Sequence, residues 1–227
     1  VSAGSYAPIC INGSAVPLVG TPAGGTFSGT GVTANTFNPA SGTQIITYSY
    51  TSAQNCTNSS TATIQVNNLP TVNGGSDVTI CAGSNVTLSG SGASTYAWNN
   101  GGINGQPFTP GVGSTIYTVS GTDANGCVNT DNVTVNVMPY PSASASADVT
   151  TGNPGQVVTF DNFSTNSAAY NWDFGNGATA SVTNLNSQTA TYNSVGSYLM
   201  VLTASNGLCS DTAMIQIDIV PFPAPLI

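Results

Sequence analysis

"NWDFGNG" occupies residues 171–177. It holds one of the chain's two tryptophans, a carboxylate, and two glycines on either side of an asparagine. Those residue types suit a metal loop, a catalytic acid or a piece of β scaffold. What the rest of the chain can offer as partners decides between the three, and with them the kind of protein.

The 227 residues include no Lys, no Arg and no His, and all eight acids are Asp. Charged residues make up 4% of the chain, against roughly 25% in an average soluble domain. Disordered chains are rich in charge and poor in β-branched and aromatic residues, whereas here Val, Ile, Thr and Tyr recur in alternating runs. Phosphate contacts need Lys or Arg, so nucleic acid is not expected as a partner. A His-based triad, a His metal site and a Lys Schiff base have no residues to build them. The formal charge of −8 gives no affinity for anionic membranes. No run of about 18 apolar residues marks a membrane span. The start, Val1-Ser2-Ala3-Gly4-Ser5, lacks the apolar stretch of a signal peptide, and a processed product or a piece of something longer is expected.

Cysteines stand at 10, 56, 81, 127 and 209; the first and second pairs are each 46 apart. This repetition predicts consecutive units of the same build, with Cys10 bonded to Cys56 and Cys81 to Cys127 in an oxidising, extracellular compartment. Cys209 stands in "SNGLC", matching "ANGC" at Cys127; it is expected to have no partner within its own domain and to be a free, partly buried thiol, the alternative being a bond to another chain. Segments such as "QIITYSYTS", "IYTVSGTD" and "QVVTFDN" read as short strands between turn signals, and no stretch shows a 3.6-residue apolar period. The fold class expected is all-β: tandem Ig-like β-sandwich domains. Prolines at 70, 139 and 141 mark the joints. They give sandwiches at 1–69, 70–139 and 140–220 and a Pro-rich tail at 221–227, in a semi-rigid rod stiffened by proline.

"CAGSNVTLSGSGASTYAWNNGGINGQPFTP" (81–110) with "TIYTVSGTDANGC" (115–127) resembles the Ig-like repeats of giant secreted Bacteroidota surface proteins, gliding-motility adhesins among them. "CINGSAVPLVGTPAGGTFSGTGV" (10–32) resembles a sister repeat. "YNWDFGNGATAS" (170–181) with "ATYNSVGSYLMVLTASNGLCSDT" (190–212) is similar to a polycystic-kidney-disease (PKD) domain, whose usual core reads W-D-F-G-D-G. The resemblance implies secretion by the type IX route and a scaffold role for the opening stretch. Trp172 and Phe174 then share one strand face and point into the sandwich. Trp98 and Phe27 hold the matching core positions, and Asp173 faces outward. Gly175-Asn176-Gly177 makes the turn, with Asn176 where the pattern usually has a second acid.

The remaining motifs read mostly as turn chemistry. Asp123, Asp161 and Asp173 are weak calcium candidates, because none sits in the array of oxygen ligands that a calcium loop requires. No other cofactor is expected. Nor is any catalytic residue: the carboxylates are scattered and a Ser or Cys nucleophile has no His base. Asp211-Thr212-Ala213 fits an O-glycosylation pattern of Bacteroidota, which makes Thr212 a modification candidate. In the tail, Pro221, Pro223 and Pro225 remove every donor from one edge of an extended chain. Phe222, Ala224 and Leu226 share the opposite face and form a candidate assembly strand. The chain therefore reads as a structural subunit or stalk of an extracellular filament or cell-surface adhesin, its partners being copies of itself or neighbouring domains. The alternative is a carbohydrate-binding module that uses exposed tyrosines to hold surface glycans.

Overall fold

The computed structural model describes residues 1–223. All regular structure among them is strand, apart from one 3-10 turn at Pro39–Ser41 that Asn38 caps through its side-chain oxygen. Alternating Val, Ile, Thr and Tyr suit a pleated, half-buried surface.

One strand plan recurs along the chain. Near the start, Gln44–Thr51 pairs antiparallel with Thr26–Ser28 on one side and Thr57–Ile64 on the other. Ile9–Cys10 runs parallel to Val66–Asn67, and Val16–Pro17, Thr36–Phe37 and Val32–Thr33 make a second small sheet. In the middle, Thr95–Trp98, Gly113–Thr122, Val128–Met138 and Val78–Cys81 follow one another in a sheet, the last pair parallel. Val86–Thr87 pairs with Pro107–Phe108. Towards the end, Thr151–Gly152 runs parallel to Ser210–Ile219. That sheet continues through Gly196–Ser205 and Ala169–Asp173 to Thr179–Val182, while Ala145–Ala147, Gln156–Asn162 and Gln188–Tyr192 form the second layer. The chain is all-β, built from Ig-like sandwich repeats.

Burial follows the strand period. In Gly196–Ser205 the inward residues Met200, Leu202 and Ala204 are fully buried, while Leu199 is half exposed. They meet Val158, Phe160, Tyr170, Trp172, Phe174 and Tyr192 in one core. Each large apolar side chain buried there contributes about 1.5–3 kcal/mol before entropy is counted. A second core gathers Leu18, Phe37, Ile46, Ile64 and Val66, with Phe27 packed against it.

Contacts divide the described chain into two compact units. One comprises Val1–Asp77, Thr87–Phe108 and Ile116–Thr134. The other comprises Val78–Val86, Thr109–Thr115 and the described chain from Val135 on. Each contains one disulfide, and neither is the bond expected from the spacing. Cys10 is joined to Cys127 and Cys81 to Cys209, with Cα separations of 5.5 and 5.9 Å. Cys56 is the unpaired, exposed thiol.

Strand direction explains the correction. Cys10 lies beside Asn67, past the end of strand Thr57–Ile64. Cys56 precedes the beginning of that strand. Its eight residues span about 23 Å, whereas a disulfide needs Cα atoms within roughly 7 Å. The middle repeat has the same opposition, since Cys81 registers with Met138, the last residue of the strand that starts just after Cys127. The equal spacing of 46 therefore reports equal repeats, not bonds. Each bond instead reaches from the first strand of one repeat to a hairpin turn in the next. Cys209, expected to stand alone, is 3% exposed and bonded.

Candidate functional site: the aromatic turn and the cysteine turns

Strand Ala169–Asp173 ends in the opening stretch. Trp172 and Phe174 are 1% and 3% exposed, and their rings lie almost parallel at 6.1 Å between centroids. Phe160 packs on both. Phe174 donates its amide to Ala178 across 3.1 Å, which closes the turn back into Thr179–Val182. Asp173 is exposed, and its carboxylate accepts the Gly175 amide at 2.9 Å. Asn176 accepts from the Ala178 amide and donates its own amide to the Thr191 carbonyl, both at 3.0 Å. A carboxylate in its place could not donate that second bond. Gly175 holds φ of +73°, and a Cβ there would stand 2.6 Å from the Leu199 carbonyl oxygen.

Register relates the three aromatic positions. Phe27 stands opposite Tyr48, Trp98 opposite Val119, and Trp172 opposite Leu202. Only Trp172 is fully buried; Phe27 and Trp98 are partly exposed. Trp98 donates its indole N–H to Asn104 at 3.0 Å. The Trp172 indole N–H is buried and finds no acceptor among the described residues.

The three hairpin turns that carry a cysteine share one hydrogen-bond scheme. Ser52, Asp123 and Asn206 donate their amides to the carbonyls of Cys56, Cys127 and Cys209 at 2.9, 3.0 and 3.1 Å. Their side-chain oxygens in turn accept the cysteine amides at 3.3, 2.8 and 3.0 Å. A left-handed residue stands directly before Cys56 and Cys127, at Asn55 and Gly126; the Cys209 turn is one residue shorter, and its left-handed Gly207 is two residues before Cys209.

The calcium candidates are engaged locally. Asp123 takes the amides of Asn125 and Cys127. Asp161 takes the Ser187 hydroxyl at 2.6 Å, and Asp173 takes Gly175. The structure does not bring the three together, and no group of three metal-ligating side chains occurs among the described residues. Other acids tie segments to one another. Asp131 accepts the Gly74 amide at 2.8 Å, and this bond with that of Asn132 holds its carboxyl below the usual range. Asp218 is lowered by the Ser197 hydroxyl and the Gln216 amide. Burial, with Asp173 and Tyr198 nearby, pushes the Tyr192 phenol up to about 12.

Among the tyrosines weighed for sugar binding, Tyr48, Tyr117, Tyr170 and Tyr192 are buried, and Tyr50, Tyr96 and Tyr198 are half-buried. An open depression of about 430 Å³ is lined by Asn171, Asp173, Thr179, Ser181 and Thr203 among others, and Trp172 is its one aromatic. Thr212 is exposed on strand Ser210–Ile219, opposite Thr203. In the tail, Phe222 is 67% exposed; Ala224 and Leu226 lie outside the described residues.

Comparison with known proteins places these features. Residues 142–219 match the family model of the PKD domain. The fold resembles the N-terminal eight Ig domains of Down Syndrome Cell Adhesion Molecule, with a TM-score of 0.51 and 13% identity. That match covers 89% of this chain and 36% of that one, so the chain spans about a third of its length. Extracellular domains 3–5 of Drosophila OTK match at 12% identity and a TM-score of 0.48, over 78% of this chain and 70% of theirs. The PKD1 domain of Vibrio anguillarum Epp matches at 23% identity and a TM-score of 0.30, over 36% of this chain and 95% of that domain. No curated protein matches. The fold is thus that of an Ig-type array whose last repeat is PKD-like.

Proposed function

We infer that the chain is a load-bearing segment of an extracellular surface protein, a stalk or filament part that spans distance and mediates adhesion or assembly. The observation that carries this reading is the pair of disulfides. Each joins the first strand of one repeat to a hairpin turn in the next, so covalent links supplement the proline joints. Disulfides persist in oxidising compartments, which supports an extracellular location. The domains are taken as 1–69, 70–139 and 140–220. The resemblance to Bacteroidota repeats supports type IX export and a surface adhesin or filament as the parent. The Ig-type structure that the fold resembles at a TM-score of 0.51 is, by its name, that of a cell adhesion molecule, which supports an adhesion role. The low charge supports packing against copies of the same protein, since monomeric solubility usually benefits from more charge than this. Among the described residues no helix is long and apolar enough to cross a membrane.

Negative-stain imaging of the protein as isolated tests the reading. Fibres or elongated particles on cell surfaces support it. A protein that stays soluble inside the cell with all five thiols reduced would refute it.

A further inference from the structure

Three turns with the same pair of cysteine hydrogen bonds carry three cysteines, those of Cys56 and Cys127 being equal in length, and two of the three cysteines are bonded in the same way. Cys127 and Cys209 each take a cysteine on the first strand of the repeat before them. Those first-strand cysteines are themselves equivalent: Cys10 stands opposite Asn67 and Cys81 opposite Met138 at the end of a parallel pair. The series stops at the third such pair, where Gly152 stands opposite Ile219 and carries no thiol. At the other end of the series Cys56 occupies the third turn, with the same backbone bonds, exposed and unpaired.

A second residue points to the same partner. Asn129, two residues after Cys127, accepts the Thr130 amide with its side-chain oxygen. Its amide nitrogen donates to the carbonyl of Pro70, in the segment that leads into the repeat, at 2.9 Å. Asn58, two residues after Cys56, accepts the Ser59 amide in the same way, at 2.8 Å. Its side-chain nitrogen donates to no described residue. The exposed thiol is thus accompanied by an idle donor that, in the next repeat, binds a connecting segment.

We propose that Cys56 is half of a third staple, bonded to a cysteine on the first strand of another Ig-like repeat of this same build. The expected partner follows an apolar strand residue, as in Ile9-Cys10 and Ile80-Cys81. Two thiols become one S–S bond. The two electrons and two protons pass to a protein disulfide of the oxidising compartment, which is reduced to its dithiol. The repeat belongs either to the same polypeptide or to a neighbouring one. In both cases the series of staples continues past this segment, and Cys56 is where it is joined. This deepens the reading of the chain as part of a repeat array and rests on it.

The test is disulfide mapping of the native protein, isolated without reductant and with free thiols alkylated at lysis. Digestion with pepsin at low pH prevents exchange between bonds. The expected map shows Cys10 with Cys127, Cys81 with Cys209, and the Cys56 peptide linked to a first-strand cysteine. Alkylation of Cys56 should go from none to complete on reduction. Electrophoresis before and after reduction separates the two sources, because only a neighbouring polypeptide is released as a second band. Alkylated Cys56, a Cys56–Cys56 link or a small-thiol adduct, with the other two bonds intact, overturns the proposal. Loss of those two bonds would instead refute the array reading. A Cys56→Ser variant should keep both and lose only the third link.

Discussion

Tyr192 donates its phenolic hydrogen to the carbonyl oxygen of Phe174 across 2.9 Å, with both residues buried. The bond ties strand Gln188–Tyr192, in one layer of the last sandwich, to the end of the aromatic strand in the other. It satisfies a carbonyl that sits just before the turn. Asn176 reaches the neighbouring residue, Thr191, from the same turn. The stretch that looked like a site is thus held by two side-chain bonds and two buried rings.

Replacing Tyr192 by Phe should destabilise the last sandwich by about 1–3 kcal/mol, since it leaves the Phe174 carbonyl buried and unpaired. The pH dependence follows from the raised phenol. Its stabilising contribution is complete below the ordinary value of 10.0 and is lost as pH rises towards about 12. Urea titrations followed by tryptophan fluorescence should show a steeper alkaline loss in the parent than in Tyr192→Phe. Equal slopes would mean that the phenol is not shifted.

The two glycines of the turn should respond differently to alanine. Gly177 holds φ of +87° with open space around it, so Gly177→Ala should cost about 1–2 kcal/mol, the left-handed penalty alone. Gly175→Ala adds a collision with the Leu199 backbone and should cost clearly more. A thermal shift of the same size in both variants would contradict the close approach.

Asn176→Asp restores the acid more usual in this pattern. It should destabilise by roughly 1–3 kcal/mol, because a carboxylate would then face the Thr191 carbonyl without a donor. Parent-like stability, or a gain on adding calcium, would show that the turn prefers the acid.

Asp131 should act as an acid-sensitive tie. Its carboxyl is lowered by the Gly74 and Asn132 amides, so its contribution is present above the ordinary carboxylate range and fades as pH falls through the lowered value. The Gly74 amide resonance should move with that titration, and Asp131→Asn should abolish the movement. An amide that ignores both would break the assignment.

Much of this was legible in the sequence, for identifiable reasons. Alternating Val, Ile, Thr and Tyr fix strands locally, and the equal spacing of Cys10, Cys56, Cys81 and Cys127 exposes the repeat. The register of Phe27, Trp98 and Trp172 follows from the same repeat. Disulfide partners were not legible. Pairing within a repeat and pairing between successive repeats produce the same equal spacing, and only strand direction separates them. Cys10 stands opposite Asn67, past the far end of a strand that begins after Cys56, and that is a fact of the parallel pair, not of the spacing. Cys209 has no second cysteine in its own repeat, which is why a free thiol is expected there, whereas its partner Cys81 lies on the first strand of the repeat before.

The two bonds interleave, which has a mechanical consequence. The shortest covalent route through the oxidised chain runs from Val1 to Cys10, across to Cys127, back to Cys81, across to Cys209 and on to Ile227. Most of the backbone is bypassed. At about 3.4 Å per residue the reduced, fully unfolded chain should extend to roughly 77 nm and the oxidised chain to roughly 26 nm. Pulling single molecules by their ends, with and without reductant, measures both lengths. The pairing first expected would bypass two separate loops and leave the oxidised chain at roughly 46 nm. An extension near that value would reject the interleaved bonds. One near a third of the reduced length supports a segment whose covalent links resist extension after its sandwiches have unfolded.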